Sequence, residues 1–156
     1  MKPVGYVRTD ISEEELRRRR KAIISEIHVD KDFVNGLEGI EEYSHLFVIF
    51  WMHKVPREER TRLKIHPRGR EDLPLVGIFA TRGRNRPNPI GLAVVELLER
   101  KNERLKVRAL DAIDGTPVLD IKPYDYIDVI KEIRVPKWWL ELHRDLGDEY
   151  GESRKV

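Results

Sequence analysis

The run SHLFVIFWM, Ser44 to Met52, constrains the fold more than any other stretch of this chain. It is continuously apolar after its first two residues and rich in β-branched and aromatic side chains. It falls well short of the roughly 20 residues that cross a bilayer. Its length and composition predict a central strand buried in a sheet. Other stretches supply partners for it. VGYVRT (Val4 to Thr9), AIISEIHV (Ala22 to Val29), LVGIFAT (Leu75 to Thr81), LAVVELLER (Leu92 to Arg100), the alternating RLKVRALDAI and VLDIKPY all read as strands. KNE and DGTP punctuate them as tight turns. About seven short strands at close spacing predict a mostly β fold, a small antiparallel barrel or sandwich in one domain over residues 1–156.

Helix signals are few. PKWWLELHRDLG (Pro136 to Gly147) has proline at its start, apolar residues at helical spacing and glycine at its end. SEEELRRRRK carries Ser12 and Glu15 at capping-box spacing and reads as one or two helical turns or as a loop. GLEGIEEY reads as a turn or short helix, and the tail DEYGESRKV as frayed. No glycine-rich strand-to-helix fingerprint and no βαβ alternation occurs, which argues against a Rossmann domain or a P-loop.

Composition narrows the chemistry. The chain has no cysteine, so disulfides, thiolate metal sites and thiol catalysis are excluded. The start MKPVGYVRTD lacks the apolar core of a signal peptide, so a cytoplasmic protein without membrane attachment is expected. Net charge is only +2, yet residues 54–86 hold ten Lys/Arg against four Asp/Glu, a local +6 that leaves −4 elsewhere. Such a basic middle suits a phosphate or nucleic-acid partner; a solvated arginine-rich loop is the plainer reading.

Within that region lies ATRGRNRPNPIG, Ala80 to Gly91. Prolines at 87 and 89 fix their own φ and bias Arg86 and Asn88 towards extended backbone. An extended segment places residues two apart on one side, so Arg82, Arg84 and Arg86 are expected to project together. Gly91 is expected to let the chain turn or a ligand approach the backbone. Arginine's planar fork suits phosphate and stacks on bases.

Three blocks, GIEEYSHLFVIFWMHK, FATRGRNRPNPIGLAVVELL and LDAIDGTPVLDIKPY, occur in this order and cover about half the chain. Together they resemble the TsaA-like (TrmO) family. The resemblance implies a β-barrel that binds S-adenosylmethionine without a Rossmann fold. It implies a tRNA methyltransferase acting on N6 of threonylcarbamoyl-adenosine, the modified adenine just 3′ of the anticodon. It also implies a homodimer with the cofactor near the subunit interface. Carried over, the cofactor-binding positions are His53, Lys54, Arg82, Leu92, Asp114, Gly115, Thr116 and Pro117. Two departures stand out: Gly83 replaces the serine of the usual ATRS, and the N-terminal PRQ segment is missing, with LRRRRKA near its place.

For catalysis, Asp114 and Asp120 are candidate proton acceptors and Tyr124 a candidate orienter. The amine proton of threonylcarbamoyl-adenosine is acidified by the adjoining carbonyl, so a modest base suffices. Without the resemblance, this region is simply a hairpin with solvated acids. Arg84, Arg86 and Asn88 are candidate tRNA contacts, and the Arg17 to Arg20 run is either a solvated face or a further phosphate contact. No metal is expected, since His45, His53 and His66 show neither HxH nor HExxH spacing. His45 reads as a structural histidine, and Trp138 and Trp139 as packing residues. Two other functions remain: a non-enzymatic RNA-binding barrel using the same arginines, and a metal-dependent hydrolase using His53 and His66.

Overall fold

The structure, a computed structural model, describes residues 1–144. Gly147, expected to end the last helix, and the tail DEYGESRKV lie outside the described residues. The chain forms two compact units, one from Met1–Arg62 and Arg84–Asp128, the other from Leu63–Gly83 and the chain from Val129.

In chain order the elements are strand β1 (Gly5–Arg8), helix α1 (Glu13–Arg19), and strands β2 (Ile24–Val29), β3 (His45–Trp51), β4 (Lys64–Ile65), β5 (Val76–Gly77), β6 (Ile90–Lys101), β7 (Arg104–Arg108) and β8 (Pro117–Pro123). Helix α2 (Lys137–Arg144) follows. Short 3-10 turns join several of them.

The first unit is a closed antiparallel barrel in the order β1-β2-β7-β6-β3-β8, with β8 returning to β1. The expected barrel is therefore present, and closure leaves it no open edge. The run Leu46 to Trp51 is its central strand, pairing β6 on one side and β8 on the other. Leu46, Val48 and Phe50 face the interior with Val7, Ile27, Val95, Leu105, Val107 and Val118. Alternate residues face out, as period-two patterning requires.

Gly91 has a different role from the one expected. It lies in β6, buried, paired with Phe50, and a Cβ there would overlap the Phe50 ring. The missing side chain makes room for a core aromatic, not for a ligand. Gly91→Ala is expected to lower stability by about 1–3 kcal/mol through overpacking. Thermal unfolding followed by circular dichroism should show the midpoint falling by several degrees; an unchanged midpoint would mean that the ring has another place to go.

Two strands differ from expectation. RLKVRALDAI is a strand only through Arg108, because Ala109 adopts φ 71°. That left-handed residue shifts the alternation, so Leu110 and Ala112 are buried instead of their neighbours. LVGIFAT keeps only Val76–Gly77 as strand. Thr81 then folds the chain back: its N–H and its hydroxyl both donate to the Ile78 carbonyl, at 3.1 and 2.9 Å, closing a 3-10 turn.

The helices follow their signals. Ser12 Oγ accepts from Glu15 N at 3.2 Å and caps α1, while the Glu15 carboxylate pairs with Arg19 and does not complete the box. Leu16 is the single buried anchor of α1. In the second unit, β4 and β5 pair as a two-stranded ribbon. There α2 starts after Pro136, and His143 stacks on Trp139 with centroids 3.8 Å apart.

Candidate functional site

One end of the barrel collects most of the sequence-derived candidates, and strand direction explains why. β3 leaves the barrel where β6 and β8 enter it, because both run antiparallel to β3. β1 leaves at the same end, pairing with the start of β8. His53 and Lys54, the arginine loop from Arg84 to Asn88 and the Asp114–Pro117 turn therefore meet around one rim.

Each segment of the rim is held by its backbone. His53 and Lys54 are the central residues of a turn closed by Val55 N–H donating to the Met52 carbonyl at 3.1 Å. Met52 N–H donates to the Pro89 carbonyl at 2.8 Å, which ties that turn to the proline loop. Arg60 braces it further: its guanidinium donates twice to the Val55 carbonyl, at 3.2 and 2.8 Å, and lies 5.3 Å from the Trp51 ring centroid. Val55 is buried, so His53 and Lys54 stand exposed on a fixed base.

The proline loop is not one extended run. Arg86 N–H donates to the Arg84 carbonyl at 2.9 Å and Ile90 N–H to the Asn88 carbonyl at 2.7 Å. These are two three-residue γ-turns, centred on Asn85 and Pro89. Proline removes a donor and fixes φ near the value that such a turn needs. The straight alternation that would have lined up the arginines is thereby broken. Arg82 belongs to the second unit and Arg84 to the first. Asn85 was not singled out from the sequence; its Oδ1 is buried without a hydrogen-bond partner among the described protein groups.

The DGTP turn is bolted to β1. Thr116 N–H closes it on the Ile113 carbonyl at 3.2 Å, and Gly115 takes φ 75°, which a type II turn requires at its third position. Gly115 N–H donates to the Val7 carbonyl and Val7 N–H to the Thr116 carbonyl, both at 2.9 Å. Asp114 Oδ1 accepts from Thr9 N–H at 3.1 Å. Asp114 is exposed, and its second oxygen has no partner among the described residues.

Asp120 and Tyr124 are placed differently. Asp120 faces outward in a row with Ile49 and Leu92, which register pairs across three strands. Both its oxygens are engaged, Oδ1 by Ile121 N–H at 2.9 Å and Oδ2 by Lys122 at 3.0 Å. Tyr124 lies at the far end of the barrel, where its N–H donates to the His45 carbonyl and its ring packs edge-on against His45 and Phe47. It does not orient Asp114. His66 holds a loop of the second unit by donating Nδ1–H to the Leu73 carbonyl at 2.8 Å. No group of three or more metal-ligating side chains occurs among the described residues. No described helix is long and apolar enough to cross a membrane.

Helix α1 supplies a residue that the sequence did not flag. Glu13 Oε1 accepts from Lys54 Nζ at 3.0 Å, bringing the helix to the rim. The Lys54 ammonium, with Arg17 and Arg84 adding to its field, lowers the Glu13 pKa below the ordinary carboxylate range. The pair is therefore intact above the ordinary glutamate pKa and is lost as pH falls through the lowered folded value. Carbon-13 NMR titration should find the Glu13 midpoint below that of an unpaired glutamate. Lys54→Met should raise it, and an unmoved midpoint would show that Lys54 is not the partner.

The tRNA-methyltransferase O N-terminal domain family matches residues 16–129. The chain belongs to this family. The matched span contains β2 to β8 and the whole rim except β1 and the start of α1. A protein of Methanothermobacter thermautotrophicus named "Probable S-adenosyl-L-methionine-binding protein" is 44% identical over 132 residues, covering 83% of this chain and 91% of the relative. An S-adenosyl-L-methionine-binding protein of Archaeoglobus fulgidus is 40% identical over 137 residues, covering 85% and 95%. The crystal structure of TrmO from Pseudomonas aeruginosa superposes with a TM-score of 0.69 at 33% identity, over 88% of this chain. This chain spans only 60% of that TrmO chain.

Proposed function

We propose that this protein is an S-adenosylmethionine-dependent methyltransferase whose substrate is N6 of threonylcarbamoyl-adenosine at tRNA position 37, and that it works as a homodimer. The observation that carries this reading is the convergence of three family blocks on one rim of a closed barrel. The MHK turn, the proline loop and the DGTP turn are far apart in sequence, yet hydrogen bonds tie the first two to each other and the third to β1.

The donor set there suits the cofactor. The Asp114 side chain offers an anion at the DGTP turn, and Leu92 an apolar surface. His53, Lys54, Leu92, Asp114, Gly115, Thr116 and Pro117 would hold S-adenosylmethionine in the first unit, with Arg82 carried over from the family motif. When bound, that group supplies an electrophilic methyl on a sulfonium. The protein's own part is to place the amine and to take its proton. Asp114 fits the latter better than Asp120, since one Asp114 oxygen is uncommitted while both Asp120 oxygens are engaged by their neighbours. Arg84, Arg86 and Asn88 follow on the same rim and suit the phosphates and bases of the anticodon loop.

Isothermal calorimetry with S-adenosylmethionine tests the cofactor reading. Saturable heat and a melting point that rises with ligand concentration are expected; no heat at high ligand would sink it.

The outer face of β6 and β3 supports the dimer. Ile90, Leu92 and Val94 are 40%, 50% and 43% exposed beside outward Phe47, Ile49 and Trp51. Contiguous apolar surface of this kind marks association sites. Sedimentation equilibrium should return a dimer, and Val94→Lys should return a monomer of unchanged fold; a monomeric parent protein would contradict the proposal.

A further inference from the structure

The excursion between β4 and β5 in the second unit carries a feature that its fold does not need. Its tip is built from two overlapping turns: Gly69 N–H donates to the His66 carbonyl at 2.9 Å and Arg70 N–H to the Pro67 carbonyl at 3.1 Å. Leu73 N–H returns to the Arg70 carbonyl at 3.1 Å, and the His66 ring holds the Leu73 carbonyl from the other side. Pro67 and Leu73 are buried beneath. The tip is thus a fixed object, although it contributes nothing to the barrel core.

At its apex Arg68 takes φ 52° and ψ 25°, the left-handed conformation, next to Gly69 at φ 70°. That backbone is unfavourable for every L-residue with a Cβ and natural for glycine. An exposed arginine there brings the fold no compensating contact, since Arg68 has no ion pair or hydrogen bond among the described residues. Lys64, exposed on β4, has none either. The contrast is with Arg70, whose guanidinium is forked onto Asp72 at 3.1 and 2.5 Å. One acid of the tip is neutralised internally, and two cations on a rigid support are left to solvent. Strain retained at an exposed position points to function rather than stability.

We propose that this tip is an RNA-backbone grip, with Arg68 and Lys64 contacting phosphates of the substrate tRNA. The proposal rests on the tRNA reading above and adds a contact surface on the second unit. Phosphate is the partner that these cations fit: a polyanion rewards two cations on a fixed support, and each neutralised phosphate releases bound counterions.

Arg68→Gly separates the possibilities, because it removes the charge while relieving the backbone. Thermal unfolding should show a midpoint unchanged or raised. Fluorescence anisotropy with a labelled tRNA transcript should show affinity weakened about five-fold near 0.15 M salt, and a salt slope shallower by about one. Arg68→Lys should restore most of the affinity. Lys64→Ala lies on the strand, away from the strained turn, and should lower the slope by a similar amount, which keeps the idea testable if Arg68→Gly perturbs folding. Binding of S-adenosylmethionine should not change in either variant. Unaltered tRNA affinity and slope in both variants, with the parent protein binding tRNA, would overturn the grip alone. A parent protein that binds no tRNA would overturn the substrate reading and this inference with it.

Discussion

Raising salt from about 50 to about 200 mM is expected to weaken tRNA binding some two- to three-hundred-fold, on the basis of about four to five neutralised phosphates. The slope of log affinity against log salt would then be near −4. The cations assigned to this are Arg84 and Arg86 on the rim, Arg68 on the tip and Lys64 on β4, with Arg82 adding to the count. Residues 54–86 carry a net +6, a figure in which Asp72 already offsets its partner Arg70. Lys54 is further paired with Glu13, which lies outside that stretch. With about four to five phosphates neutralised, at about −0.9 each, the expected slope stays near −4. Filter binding across a salt series checks this. A flat series would mean that the basic stretch is a solvated surface, and would also remove the non-enzymatic RNA-binding alternative.

The second large effect is at Asp114. Asp114→Asn should lower methyl transfer by about ten- to a hundred-fold, the value of one charge-assisted hydrogen bond. The substitution is clean in this fold. Asparagine keeps an oxygen to accept from Thr9 N–H, so the link between β1 and the turn survives while the charge is lost. Steady-state kinetics distinguishes the two possible roles. A rise in KM for the cofactor identifies a gripping residue; a fall in kcat at saturation identifies the proton acceptor. Asp125→Asn is the control. Asp125 is exposed and accepts from Ile127 N–H at 2.8 Å, a local turn contact that asparagine also makes. Equal, small effects at both positions would remove Asp114 from the site.

The barrel was legible because period-two burial is written directly in residue type. Leu46, Val48 and Phe50 alternate with outward partners, and the turn residues between strands announce themselves. Hydrogen bonds that no residue type encodes were not legible. Two γ-turns break the arginine loop, and nothing in RGRNRPNPIG distinguishes them from an extended proline segment. Gly91 read as a turn or ligand position because its real neighbour, Phe50, is forty-one residues away in sequence and adjacent only through strand register. Ala109 looked like one more residue of an alternating strand, because its positive φ, held where its N–H donates to the Ile23 carbonyl at 2.9 Å, is not written in residue type. Tyr124 follows β8 at the end where β3 begins, while Asp114 precedes β8 at the other end, so closeness in sequence misled there. Glu13 was hidden for the converse reason: its partner Lys54 comes from another element entirely.

The most direct measurement is mass spectrometry of nucleosides. tRNA carrying threonylcarbamoyl-adenosine is incubated with the purified protein and S-adenosylmethionine, digested, and compared with the same tRNA left untreated and with tRNA lacking the modification. The threonylcarbamoyl-adenosine peak is expected to be converted to a species heavier by one methylene, with fragmentation placing the methyl on the base. Asp114→Asn should slow this conversion and Asp125→Asn should not. Threonylcarbamoyl-adenosine recovered unchanged, from a protein shown in the same preparation to bind S-adenosylmethionine and tRNA, would contradict the proposed function.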